Sequence, residues 1–175
     1  MPQIDFITAL GRLLCDGSLR DAYAEDPLQT VESLGVQDSD RSALLNLNSR
    51  DLEFQARVLM RKRFEAISSL LPQTCSNLSA RGWPLFVQYA RATLPAGQPT
   101  VILDAEQFLA WLQQENLRAI SSSENNRVRF ARGTMRLSLH LASDVPVHAR
   151  PSRGLQFFIR TGPLRWKEYI LYFSF

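Results

Sequence analysis

Histidine, cysteine and closely spaced carboxylates are the side chains with which this chain could do covalent or metal chemistry, and there are few of them. His140 and His148 are the two histidines. Their spacing matches no ligand pattern, so a metal pair would need the intervening loop to fold back and carboxylates to complete the shell. The alternative is one histidine on the polar face of a strand and one in a solvated loop. Cys15 and Cys75 are the two cysteines. A cysteine nucleophile needs a positioned histidine. Cys15 falls at a helix end beside Leu13 and Leu14, and Cys75 within a helical stretch, so both read as buried thiols. Gly133, Gly154 and Gly162 are isolated turn glycines and make no phosphate loop. Asp104 and Glu106 suit the first turn of a helix better than an acid/base pair. No catalytic set and no metal set is expected in this chain.

The charge pattern is more informative. The net charge of +3 hides ten acidic and five basic residues over 1–60, against seven acidic and fifteen basic over 61–175. Eighteen of the twenty basic residues are Arg, whose planar fork pairs bidentately with carboxylate or phosphate. This predicts either a solubilising face or a basic surface for an acidic partner. Arg127, Arg129, Arg132 and Arg136 are the candidate binding residues. Arg61, Lys62 and Arg63, close to Arg57, are a second cluster.

The elements that would position these residues follow from periodicity. Ile4, Phe6, Ile7, Leu10, Leu13 and Leu14 repeat at helical spacing, and Asp16-Gly17-Ser18 breaks them. Ser18 with Asp21 opens a second short helix. Asp26-Pro27 opens a third, which Gly35 stops, and 38–47 gives a fourth. The longest helix is expected over 50–71, with Leu52, Ala56, Leu59, Met60, Phe64 and Ile67 as its stripe and Pro72 at its end. Helices over 73–80, 84–93 and 104–115 follow, with a loop at 95–99. Residues 121–126 read as a polar linker. Beyond them Val128 and Phe130 alternate with Arg127, Arg129 and Arg132. Met135, Leu137, Leu139 and Leu141 then alternate with Arg136, Ser138 and His140, which predicts a hairpin, apolar on one face and basic on the other. A loop over 143–154, a third strand from Leu155 and a fourth over 169–175 complete the expectation. The fold class is α+β: a helical domain over 1–120, then an antiparallel β domain of about four strands over 121–175.

Several landmarks carry a resemblance. These are the 27–35 helix ending in Leu-Gly, Arg61-Lys62-Arg63 followed by Leu70-Leu71-Pro72-Gln73-Thr74, Leu85-Phe86-Val87-Gln88-Tyr89-Ala90, and Asp104-Ala105 with Phe108, Trp111 and Leu112. Arg136-Leu137-Ser138-Leu139-His140 and the aromatic last strand continue it. The chain resembles the small accessory subunits of multinuclear non-haem iron oxidases in ribosomal peptide natural-product pathways, as in methanobactin and 3-thiaglutamate biosynthesis. That resemblance implies a heterodimer with a TIM-barrel oxidase, which would hold the iron. This chain would carry no cofactor and would bind the leader part of a precursor peptide. A related helical family once labelled putative DNA-binding resembles the N-terminal part, and keeps nucleic acid as the alternative partner.

On this reading Arg127, Arg129, Arg132 and Arg136 contact the peptide, and Arg61, Lys62 and Arg63 contact the oxidase. Nucleic acid is the weaker partner because Phe130 and the Arg stripe fall on opposite strand faces, so stacking and charge do not coincide. No apolar run approaches the ~18 residues of a membrane span. Met1-Pro2-Gln3-Ile4-Asp5 lacks a basic n-region. With no disulfide pattern, a cytoplasmic protein with reduced thiols is expected.

Overall fold

A computed structural model of the chain describes residues 3–93, 101–147, 150–163 and 165–172. The expected loop at 95–99, His148 and the end of the last strand at 173–175 lie outside the described residues. The elements are α1 (Phe6–Cys15), α2 (Gly17–Glu25), α3 (Pro27–Leu34), α4 (Asp38–Leu45), α5 (Ser49–Leu70), α6 (Pro72–Leu78), a 3-10 turn (Ser79–Arg81), α7 (Gly82–Ala92), α8 (Val101–Gln114), α9 (Ser122–Arg132), β1 (Leu137–Val147), β2 (Arg150–Arg160) and β3 (Trp166–Tyr172). The class is α+β, as expected. Contacts divide the chain into two units that interleave in sequence: Met1–Glu65 with Trp83–Gln98, and Ala66–Gly82 with Pro99–Phe175.

In the first unit, aspartates start the helices. Asp5 accepts from the Thr8 amide at 2.8 Å, Asp16 from the Ser18 and Leu19 amides, and Asp26 from the Gln29 amide, with Pro27 at the first helical position. Gly35 ends α3 at φ +68°, the left-handed conformation that glycine adopts without penalty. Much of the acidic excess over 1–60 is therefore capping charge. Ala9, Leu13, Tyr23, Val31, Val36, Leu44 and Leu52 form the core. The buried Tyr23 hydroxyl donates to the carbonyls of Leu44 and Leu47, and burial pushes its pKa up. Ile4 and Val36 join in a short parallel bridge. Arg91 on α7 pairs with Asp21 and Glu53.

The second unit corrects two expectations. Residues 122–132 form helix α9, so the described sheet has three strands, in the order β1-β2-β3, rather than four. The segment read as a linker is the start of that helix. Ser121 caps it by accepting from the Glu124 amide. Asp144 adds a second cap, its carboxylate accepting from the Ser122 amide at 2.8 Å and the Ser123 amide at 3.0 Å. The Glu124 side chain, almost fully buried, accepts from the Gln73 and Thr74 amides at 2.6 and 2.9 Å and so caps α6. The Ser121 amide in turn donates to the Thr74 hydroxyl. Two helix starts are thereby tied together through their orphan donors.

The strands are also longer than expected. The region read as a loop over 143–154 is largely strand. Pro146 stands opposite Pro151, and a register shift between Ala142 and Val145 places Asp144 at the α9 cap. The period-2 alternation is present, and the leucine face is the exposed one. Three register rows, Leu137–Ile159–Lys167, Leu139–Phe157–Tyr169 and Leu141–Leu155–Leu171, make one face. Leu141 on it is 77% exposed. The other face, with Ser138, His140, Gln156, Phe158 and Glu168, is the one α9 covers. Phe130 stacks on Phe158 with ring centroids 5.0 Å apart, and Trp166 meets both edge-on. Gln156, fully buried, donates to the Ser123 carbonyl and to Glu168, and accepts from Asn126. The covered face thus combines an aromatic pack with satisfied polar groups.

Burial opposes the charge of Asp144, but hydrogen bonds from the Ser122 hydroxyl and the serine amides outweigh it and hold the carboxyl below its ordinary 3.8. A depressed pKa stabilises the fold fully above that ordinary value, and the contribution is lost as pH falls through the folded value. Asp144→Ala is expected to lower unfolding free energy at pH 7 by about 1–2 kcal/mol. Urea titrations should show the gap between wild type and variant narrowing at acid pH. An equal gap at pH 7 and pH 3 would refute the capping role.

Candidate functional site

Helix α9 ends at Arg132, and β1 begins at Leu137. The turn between them gathers most of the expected basic residues, though on a helix end rather than on a strand face. Arg127, Arg129 and Arg132 leave from α9, and Arg136 from the turn. Their surroundings differ. Arg127 makes a bidentate pair with Glu168, at 2.8 and 3.2 Å. Arg132 bonds Glu106 at 3.0 Å. Arg129 and Arg136 are exposed and, among the described residues, have no carboxylate partner.

Two clefts share the 133–136 turn as a wall. One, about 470 Å³, is lined by Thr134, Arg136, Arg160, Thr161, Gly162 and Pro163. The other, about 610 Å³, is lined by Glu106, Arg129, Phe130, Arg132, Gly133, Met135 and His140. Arg129 and Arg136 therefore stand on either side of one turn, each on the wall of an open cleft. The notch can hold anionic groups through guanidinium contacts.

Arg160 shapes this notch, and nothing in the sequence singled it out. Its guanidinium donates to the carbonyls of Phe130 (2.6 Å), Gly133 (2.8 Å), Met135 and Pro163, and lies over the Phe130 ring. It satisfies carbonyls at the C-terminal end of α9, where the helix dipole favours a cation. Its sole sequence signal was an Arg closing a strand ahead of a Thr-Gly-Pro turn. Arg20 does the same at the end of α1, donating to the carbonyls of Leu13 and Leu14.

Arg61 lies 4.0 Å from Glu65 and over the Trp83 ring, and Arg63 lies over Phe86, so both guanidiniums rest on aromatic faces. Lys62 is exposed. His140 sits on the covered sheet face, with Nε2 3.0 Å from the Ser138 hydroxyl. Cys15 is exposed, which corrects its reading as a buried thiol. Cys75 is half-buried, and burial, reinforced by the Glu124 charge, pushes its thiol pKa up. Phe130 is buried under Phe158 and offers no stacking surface. Among the described residues no three His, Cys, Asp or Glu side chains form a group able to hold a metal ion, and no helix is long and apolar enough to cross a membrane.

The fold defines a helical protein with a small C-terminal antiparallel sheet and a basic notch. Residues 46–114 match a family model described as SCO6045-like, C-terminal domain. The match takes in α5 to α8 and leaves α1–α4, α9 and the sheet outside it. No curated protein and no solved structure matches the chain with significance.

Replacing Arg160 by Lys keeps the charge but cannot reach four carbonyls from one ammonium. Arg160→Lys is expected to cost about 1–3 kcal/mol, read as a lower midpoint in thermal unfolding followed by near-UV circular dichroism. An unchanged midpoint would show that the carbonyl cluster is satisfied without it.

Proposed function

We propose that this chain is a non-catalytic accessory subunit that binds the leader part of a precursor peptide and a TIM-barrel multinuclear iron oxidase, which carries the iron and does the oxidation. The observation that carries the reading is the pair Arg129 and Arg136, exposed and without carboxylate partners among the described residues, on two clefts at one turn. The peptide adds as a strand along the start of β1, which has β2 on one side and, among the described residues, no strand on the other. The notch lies where β1 begins, with the Arg136 carbonyl accepting from the Arg160 amide of β2, so acidic leader residues reach Arg129 and Arg136 while the backbone pairs with the start of β1. Arg127 and Arg132, already paired within the chain, contribute less. The resemblance in the sequence supports the oxidase as the second partner, with Arg61, Lys62 and Arg63 facing it. Two of these three cations already lie on aromatic rings, which makes the exposed Lys62 the most available of the three for that contact.

A fluorescent acidic leader peptide encoded beside this protein should bind the wild type. Arg129→Glu with Arg136→Glu should weaken it at least about tenfold, equivalent to 1.4 kcal/mol. Arg127→Gln should change it by less than the double variant does. Equal losses at all positions would point to non-specific charge. Co-expression with the adjacent oxidase should give a heterodimer on size-exclusion chromatography, and Arg61→Ala with Arg63→Ala should dissociate it without loss of helical circular dichroism. Steeply salt-dependent DNA or RNA binding in place of peptide binding would overturn the reading in favour of a nucleic-acid partner.

A further inference from the structure

The face of the sheet turned away from α9 has no part in the basic notch. Leu137, Leu139, Leu141, Tyr169 and Leu171 on it are 48–77% exposed. Eight of the nine side chains in its three register rows are apolar, with Lys167 the exception. Scattered apolar side chains need no explanation, but a contiguous apolar grid marks an interaction surface. Nor is it forced by the sheet's own stability, because the aromatic pack and the polar network lie on the opposite side.

The charges on this face have one sign. Lys167 closes one corner, and exposed Arg153 follows the Leu155 side of β2 by alternation. No outward position in the three rows carries a carboxylate: Glu168 points to the other face and binds Arg127, and Asp144 caps α9. We propose that this face docks an amphipathic helix of a partner protein, its apolar stripe flanked by Asp or Glu. Three strands span roughly 10 Å at 4.7–4.9 Å spacing, close to the 10–12 Å diameter of one helix. A second copy fits poorly, because the three register rows of this face offer no carboxylate to meet the Lys167 and Arg153 of the other copy. An anionic membrane fits poorly too, since lipid-binding patches gather about 4–8 Lys or Arg and this face carries two. The inference holds whatever the basic notch binds.

The test uses the full chain and two labelled synthetic helices with the same leucine stripe, one flanked by Glu and one by Lys. Fluorescence anisotropy should give at least about tenfold tighter binding of the Glu helix. Leu139→Ser with Leu171→Ser should weaken that binding at least about tenfold with far-UV circular dichroism unchanged, as expected for exposed side chains. Lys167→Glu with Arg153→Glu should reverse the preference between the two helices. The proposal is overturned if neither helix binds, if the Lys helix binds as well, or if the leucine variant binds as before. It is also overturned if the chain forms a dimer on size-exclusion chromatography that the leucine variant dissolves, which would make a second copy the occupant. Co-sedimentation with phosphatidylserine vesicles, lost in the same variant, would assign the face to a membrane.

Discussion

The arrangement of the second unit depends on one buried carboxylate. Glu124 is 3% exposed, and its two oxygens take the first two free amides of α6. A carboxylate removed from water must be met by donors, and here the donors are helix N-termini, which carry both free N–H groups and a positive dipole end. Ser121 and Asp144 do the complementary work on α9. The start of α9 is thus held both by α6 and by the register shift of β1. With that end fixed, the length of the helix determines where Arg129 and Arg132 emerge, and so where the notch lies.

Arginine plays two roles in this chain that a charge count does not separate. Arg20 and Arg160 close helix ends by collecting main-chain carbonyls, and Arg127 and Arg91 join elements through carboxylates. Arg129 and Arg136 have no such duty. A guanidinium with five donors suits several backbone acceptors at once, which accounts for part of the chain's preference for Arg over Lys. The basic excess after residue 61 is therefore partly structural, and only a fraction of it is available to a partner.

The helices of the first unit were legible because their ends carry chemistry: Asp5, Asp16 and Asp26 at the starts, Pro27 just inside, Gly35 just past an end. Helix α9 was not, because Val128 and Phe130 two residues apart imitate a strand, and the polar run before them conceals a cap. Ser121 with Glu124 is a capping pair by spacing, and it was the available signal. On the sheet, the alternation of Leu137, Leu139 and Leu141 was legible and its direction was not. Period 2 says that two faces differ and does not say which is covered. The cover was decided by a helix whose contacts are partly polar, Gln156 with Ser123 and Glu168 with Arg127, and hydrophobicity alone points the other way. The notch was half legible: its residues were named, but Arg160, which organises it, acts through carbonyls scattered along the chain.

The interleaving of the two units bears on the order in which a growing chain can finish them. Arg91, which joins Asp21 and Glu53, is separated from them by the 66–82 stretch of the other unit. A ribosome releases residues in sequence, N-terminal parts first, so α1–α4 and most of α5 emerge well before the arginine that bridges their acids. Through that interval Glu53 has Arg20 as a partner and Asp21 does not yet have Arg91. A nascent chain stopped at residue 65 would therefore carry the apolar core of the first unit without its last electrostatic closure, and one stopped just past α7 would carry both.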